Sequence, residues 1–117
     1  MTDQSPVQTQ TSAATANGVL VLLEVRPGVA REEVMAVMPA EIRATVKLYL
    51  DGTIRDWHAR GDGRGAVFLL NTGDVAAARA IMEDLPLARQ HLVDEQYIPV
   101  GPLMPLGLLL GAQPAQP

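Results

Sequence analysis

The sequence predicts a ferredoxin-like α+β domain, in which a four-stranded antiparallel sheet carries two helices on one face. Two observations lead to this prediction. The apolar pattern gives the order strand, helix, strand, strand, helix, strand, and the strands themselves are short runs rich in valine and leucine. A length of 117 residues fits one domain, since natural domains most often have about 100–150 residues.

The four predicted strands are marked by apolar runs between turn residues. They are residues 19–25, 53–59, 65–70 and 97–100. The second and third form a hairpin through Gly61-Asp62-Gly63, because glycine permits the positive φ angles of a tight connection. Pro99 places the fourth strand at an edge of the sheet, since proline has no N–H to donate to a neighbouring strand.

Two segments show helical periodicity and are predicted to be helices, at residues 29–50 and 75–84. The apolar stripe of the first consists of Val34, Met38, Ile42, Thr45, Val46 and Tyr49. Pro39 removes a backbone donor inside this helix, so a break is predicted near Met38. Asp74 is the predicted N-cap of the second helix, and a short helical turn is expected at residues 89–92.

Both faces of the predicted sheet are apolar. In the first strand, residues 19, 21 and 23 alternate with Leu20 and Leu22, and the third strand repeats this pattern over residues 66–70. Two helices cover only one face of a sheet, so the other needs a further layer. The sequence therefore predicts a homodimer with the sheets face to face.

Composition narrows the choice of partners and compartment. The net charge of -4 argues against nucleic acid as a partner. With no cysteine, disulfides, thiolate nucleophiles and cysteine-based zinc sites are excluded. The first residues do not have the pattern of a signal peptide, and no apolar run has the ~20 residues of a membrane span, so a cytoplasmic protein without membrane contact is expected.

The ends of the chain differ from its middle in composition. Residues 1–17 are polar and small and are predicted to form a flexible tail, residues 18–110 form the domain, and residues 111–117 are expected to be frayed. The segment 102–110 is strongly apolar. It is expected to pack over a partner subunit or to fold back on its own.

Five residues are candidates for a site that binds and transforms a small molecule. His58 could shuttle a proton, and Glu41 could act as a base toward a proton α to a carbonyl. Trp57 and Tyr97 are expected to bind the substrate, and Arg55 to hold an anionic group. All but Trp57 have a structural alternative: a solvent-facing histidine, a glutamate paired on the helix surface, a core tyrosine, and an arginine in a solvated hairpin.

Other apparent motifs do not predict a site. Gly61-Asp62-Gly63-Arg64-Gly65 has strands on both sides, whereas a phosphate loop precedes a helix. His58 and His91 lie far apart in the sequence and lack neighbouring ligand residues, so no metal site is predicted. No cofactor is expected.

Several segments resemble the muconolactone Δ-isomerase family. They are Gly52-Thr53-Ile54-Arg55, Val67-Phe68-Leu69-Leu70, the helix from Val75, Leu85-Pro86-Leu87 and Tyr97-Ile98-Pro99-Val100-Gly101-Pro102-Leu103. The resemblance covers roughly residues 19–110. It implies a dimeric α+β barrel that can assemble further, and a role in aromatic compound catabolism.

The same resemblance implies cofactor-independent proton transfer on a lactone or unsaturated acid. Related barrels also host cofactor-free monooxygenases, cyclases and proteins that only bind ligands, so an oxidative enzyme and a non-catalytic dimeric module are the alternatives. In the isomerases an arginine is followed three residues later by tryptophan. Here His58 stands at that position after Arg55, and Trp57 is one residue earlier.

Overall fold

A four-stranded antiparallel sheet with the order β2-β3-β1-β4 forms the centre of the protein. The computed structural model describes residues 16–103. Its elements are β1 (Gly18–Val25), α1 (Arg31–Leu50), β2 (Ile54–Ala59), β3 (Gly65–Leu70), α2 (Val75–Glu83), α3 (Pro86–Arg89) and β4 (Val93–Val100). The ferredoxin-like prediction is confirmed. The predicted tails, apart from Ala16 and Asn17, and the packing of residues 104–110 lie outside the described residues.

The core lies between the helices and one face of the sheet, here called the inner face. On β1, Val19 and Val21 are completely buried and Leu23 is nearly so. Ala78 and Met82 of α2 are fully buried in the same cluster. This burial against the central strand fixes α1 and α2 on the inner face, because the hydrophobic effect stabilises the fold by about 25 cal/mol per Å² of apolar surface removed from water.

The outer face of the sheet is also apolar but is only partly covered within one subunit. Leu20 pairs with Leu69 on β3 and with Ile98 on β4, and Leu22 pairs with Val67. Ile98 is 43% exposed, and the four residues of β1 and β3 are half-buried. The predicted two-sided apolar sheet is therefore present, and the homodimer stays a prediction.

Helix α1 passes through Pro39 without interruption, so the predicted break near Met38 is wrong. Pro39 deprives the carbonyl of Met35 of its helical donor. Both residues lie on the exposed side of α1, where Met35 is 51% exposed, and water can satisfy that carbonyl. The opposite side of the helix is held by burial of Val34 and Val37, which stabilises the helix on both sides of the proline.

The buried face of α1 is also rotated from the predicted stripe. The buried residues are Val34, Val37, Glu41 and Thr45, whereas Ile42, Val46 and Tyr49 are exposed. The prediction followed hydrophobicity, but the face that packs on the sheet includes a carboxylate and a hydroxyl. Of the three exposed residues, Tyr49 stacks on Trp57, and within residues 16–103 Ile42 and Val46 stay exposed.

The remaining elements follow the sequence closely, with two shifts. Asp74 caps α2 by accepting a hydrogen bond from the N–H of Ala76 at 3.1 Å, as predicted. The short helix comes earlier than expected, at α3, because Pro86 occupies a first-turn position that suits proline. Strand β4 starts at Val93 rather than Tyr97, since Val93 is buried against the end of β1. Pro99 lies on this edge strand, as predicted.

Within residues 16–103, no helix has the length and apolar character that crossing a membrane requires.

Candidate functional site

A cleft lies between α1 and the β2–β3 half of the sheet. It has a volume of about 530 Å³, within the ~300–1,000 Å³ of typical ligand sites. Most of its wall is apolar, and the residues that form it include Val34, Met38, Ile42, Trp57, Phe68 and Leu87. Such a wall favours a substrate with a substantial apolar part.

Glu41 is the buried carboxylate of this cleft. The residue is only 6% exposed, and its Oε1 accepts a hydrogen bond from the backbone N–H of Leu87 at 2.9 Å. Among the described residues, no hydrogen bond reaches the second carboxylate oxygen. One oxygen is thus held by α3, and the other is available to a molecule in the cleft.

The surroundings of Glu41 make its carboxylate more basic than that of a surface glutamate. Burial raises the pKa of Glu41, the hydrogen bond from Leu87 opposes this rise, and the negative charge of Glu95 adds to it. A raised pKa brings a carboxyl group closer to the range in which it accepts and returns protons near neutral pH. Glu41 therefore has the burial and the basicity of a proton-transfer group.

Thr45 lies one turn after Glu41 and is the second buried polar residue of α1 that lines the cleft. Its Oγ1 lies 3.0 Å from the carbonyl oxygen of Glu41 and 3.1 Å from that of Ile42. Because the hydroxyl hydrogen is donated to the helix backbone, the oxygen can accept a hydrogen bond from a ligand. The helical period predicts Thr45 only as part of an apolar stripe, so this role is not predicted from the sequence.

Trp57 provides a flat wall of the cleft. Its ring stacks on that of Tyr49 from α1, with centroids 4.8 Å apart and planes inclined by 2°. On β2 it pairs with Phe68, which lies on the inner face. Trp57, which is predicted to bind the substrate, thus lines the cleft. Because the chain has one tryptophan, its fluorescence can report on bound ligands.

His58 borders the cleft through its position on β2, but its side chain lies on the outer face. Successive strand residues point to opposite sides, and Trp57 faces α1. The Nε2 of His58 is 3.3 Å from an oxygen of Asp56, its neighbour on the same side, and both side chains are mostly exposed. His58 and Glu41 are therefore on opposite faces of the sheet and do not form one catalytic pair within a subunit.

Tyr97 and Arg55 lie away from the cleft. Tyr97 is on β4, separated from β2 by two strands. Its hydroxyl donates a hydrogen bond to Glu95 at 2.6 Å, the guanidinium of Arg79 lies 4.4 Å above its ring, and burial raises its pKa. Arg55 is exposed and donates to the carbonyl oxygen of Asn17 at 2.6 Å, which ties β2 to the start of β1.

The arginines of the β2–β3 hairpin are paired with acids rather than free. Arg64 lines the rim of the cleft and forms an ion pair with Glu24. Arg60 lies 2.7 Å from Asp62 and 3.8 Å from Glu24. Only Arg64 of these two lines the cleft, so the cation nearest to a bound ligand is not the predicted Arg55. No local pattern predicts this pairing, because the partner Glu24 lies on another strand.

Over the described part of the chain, histidines and acidic residues do not gather in groups of three that could hold a metal ion. Comparison of the chain with known protein families finds no matching family, and comparison with curated proteins finds no matching relative. The resemblance to muconolactone Δ-isomerases accordingly stays a prediction. The function proposed for this chain therefore rests on the cleft and on the buried carboxylate of Glu41.

Proposed function

We propose that this protein is a small-molecule enzyme that moves a proton within an oxygenated substrate, in the manner of muconolactone Δ-isomerase, with Glu41 as the base. The observation that supports the proposal best is a nearly buried carboxylate with one oxygen fixed by Leu87 and its pKa raised by burial. A lactone or unsaturated acid fits a cleft of about 530 Å³ with an apolar wall.

The proposed step is the transfer of a proton between two carbons. Glu41 takes the proton from the carbon next to a carbonyl group, the electron pair moves into an enolate, and the protonated carboxyl returns the proton at a second carbon of the conjugated system. Trp57 holds the planar part of the substrate against its ring. Arg64 lies at the rim, where a substrate carboxylate would compete with Glu24 for its guanidinium.

Solvent deuterium exchange tests the proposal directly. A panel of small lactones and unsaturated acids is incubated with the protein in deuterium oxide, and NMR follows the loss of proton signal next to the carbonyl. Glu41→Gln should lower the exchange rate by about 10²–10⁴-fold, while binding, measured by quenching of Trp57, is retained. Glu32→Gln, an exposed glutamate on the same helix, is the matched control and should behave as the parent protein.

A second candidate function is ligand binding without catalysis. The observation in its favour is that His58, the other predicted proton carrier, faces away from Glu41. In that case members of the panel quench the fluorescence of Trp57, but their protons do not exchange with solvent in the presence of the parent protein or of its variants. Consumption of oxygen during turnover would instead support the monooxygenase alternative.

We also propose that the outer face of the sheet forms a homodimer interface. Leu20, Leu22, Val67 and Leu69 form a contiguous partly exposed apolar surface on the two central strands. Sedimentation of the parent protein at micromolar concentration should give a species of at least twice the 12.5 kDa chain mass. Leu22→Lys should break this contact and halve the mass of the sedimenting species, since a buried unpaired charge is costly at such an interface.

A further inference from the structure

Helix α1 carries an exposed apolar surface that is separate from the sheet face. It consists of Met35, Ile42, Val46, Tyr49 and Leu50, which are 51%, 53%, 38%, 44% and 77% exposed. We call this surface the α1 stripe. The spacing of its residues follows successive turns of one helix side, next to the buried face rather than opposite it. An exposed apolar surface of this extent is typical of an interaction site.

Apart from Leu50, whose counterpart Val34 is buried, the α1 stripe is symmetric about Ile42. Met35 precedes Ile42 by seven residues and Tyr49 follows it by seven, while the half-buried Met38 and the exposed Val46 lie four residues to either side. In an antiparallel pair of α1 helices related by a two-fold axis at Ile42, Met35 meets Tyr49 of the second copy and Met38 meets Val46. A surface with this pattern complements itself, as an isologous interface requires.

The area of the stripe is sufficient for such a pair. If each full side chain has an area of about 150–200 Å², the five exposed fractions amount to roughly 400–500 Å² per copy. Pairing two copies then buries about 800–1,000 Å², which reaches the lower limit for a specific protein interface. The charged residues Arg43 and Lys47 lie beside the stripe rather than within it, so no charge has to be buried.

The stripe is continuous with the candidate site. Ile42 belongs both to the stripe and to the wall of the cleft, and the half-buried Met38, one turn before it, also lines the cleft. A second copy placed over Ile42 therefore covers the side of the cleft next to α1. Removal of water at that side would strengthen electrostatic interactions of a ligand with Glu41.

We infer that α1 is an interface between two copies of this chain, paired antiparallel around Ile42, and that this contact closes one side of the cleft. This interface is distinct from the proposed one on the outer face of the sheet, because α1 lies on the inner face. The pairing does not depend on the proposed catalytic function.

The chain allows a direct crosslinking test because it contains no cysteine. Helix axes pack about 8–10 Å apart and Cα atoms lie about 2.3 Å from the axis, so the two Cα atoms at position 42 would be roughly 4–5 Å apart. This is within the range of a disulfide. The variants are Ile42→Cys and, as a matched control, Ala36→Cys, an exposed position on another side of α1.

Under mild oxidation at micromolar concentration, Ile42→Cys should form covalent dimers roughly tenfold faster than Ala36→Cys, because pairing raises the local thiol concentration. In sedimentation experiments, Ile42→Glu should halve the mass of the assembly, while Ala36→Glu should not. Equal crosslinking of the two cysteine variants together with an unchanged mass for Ile42→Glu would overturn the inference. That result is expected if residues 104–110 of the same chain cover the stripe. Neither readout requires a substrate, so deuterium exchange can fail while the pairing is confirmed.

Discussion

Replacing Glu41 with alanine is expected to destabilise the protein by roughly 3 kcal/mol more than replacing it with glutamine. Glutamine keeps an oxygen that can accept the hydrogen bond from Leu87, whereas alanine leaves a buried N–H without its partner, at a cost of about 1–3 kcal/mol. Alanine also loses one buried methylene group relative to glutamine, which contributes about 0.8 kcal/mol. In the alanine variant, water that enters the cleft would bond to the N–H of Leu87 and reduce the cost of the lost hydrogen bond.

The pH dependence separates the charge of Glu41 from its packing. The pKa of Glu41 is raised in the folded protein from 4.5, so the folded state holds this proton more tightly than the unfolded state. The associated stability is fully present below pH 4.5 and is lost as the pH rises through the folded pKa. Glu41→Gln has no such loss, and its stability relative to the parent protein should therefore increase with pH across this window.

Urea unfolding at pH 4, 6 and 8 measures both effects, with Glu32→Gln as the control for loss of one exposed negative charge. The pKa of Glu95 is also raised by burial, but Glu95 is present in every variant, and its contribution largely cancels in the comparison. Equal stabilities of the alanine and glutamine variants would refute the Leu87 contact. A pH-independent difference between Glu41→Gln and the parent would refute the raised pKa.

Three further substitutions test other parts of the structure. His58→Ala should exchange substrate protons at nearly the rate of the parent protein, because its side chain lies on the outer face; a loss of about 100-fold or more would assign His58 a catalytic role. Asp74→Ala should lower the free energy of unfolding by about 1 kcal/mol through loss of the α2 N-cap, whereas Asp74→Asn should not, and equal effects would contradict the cap. Gly65→Ala should cost about 2–3 kcal/mol, since its Cβ would lie 1.9 Å from the carbonyl oxygen of Leu23. Gly61→Ala, with open space around it, is the control in the same unfolding assay, and similar stabilities would exclude the clash.

Part of the candidate site could be predicted from the sequence. Trp57 and Glu41 were both candidates, and both line the cleft. Residue type and approximate position in the chain are sufficient to predict both as candidates. His58 was also a candidate because of its chemistry, and the alternation of side chains along β2 predicts that it faces away from Trp57, in agreement with the structure.

Other site residues depend on contacts between distant segments. Leu87 donates to Glu41 from 46 positions further along the chain, and Arg64 pairs with Glu24 across the sheet. The reason that α1 buries Glu41 rather than Ile42 is also tertiary. The short helix α3 presents a backbone donor to the carboxylate, so that its burial is compensated by a hydrogen bond.

The sequence by itself determined the order of the elements, the apolar character of both sheet faces, the hairpin and the cap of α2, because these follow from local period, turn residues and side-chain chemistry. Tertiary structure decided the rotation of α1, the continuity of the helix through Pro39 and the separation of His58 from Glu41. These features depend on which surfaces pack together and on how buried polar groups find partners. A local pattern of hydrophobicity does not contain that information.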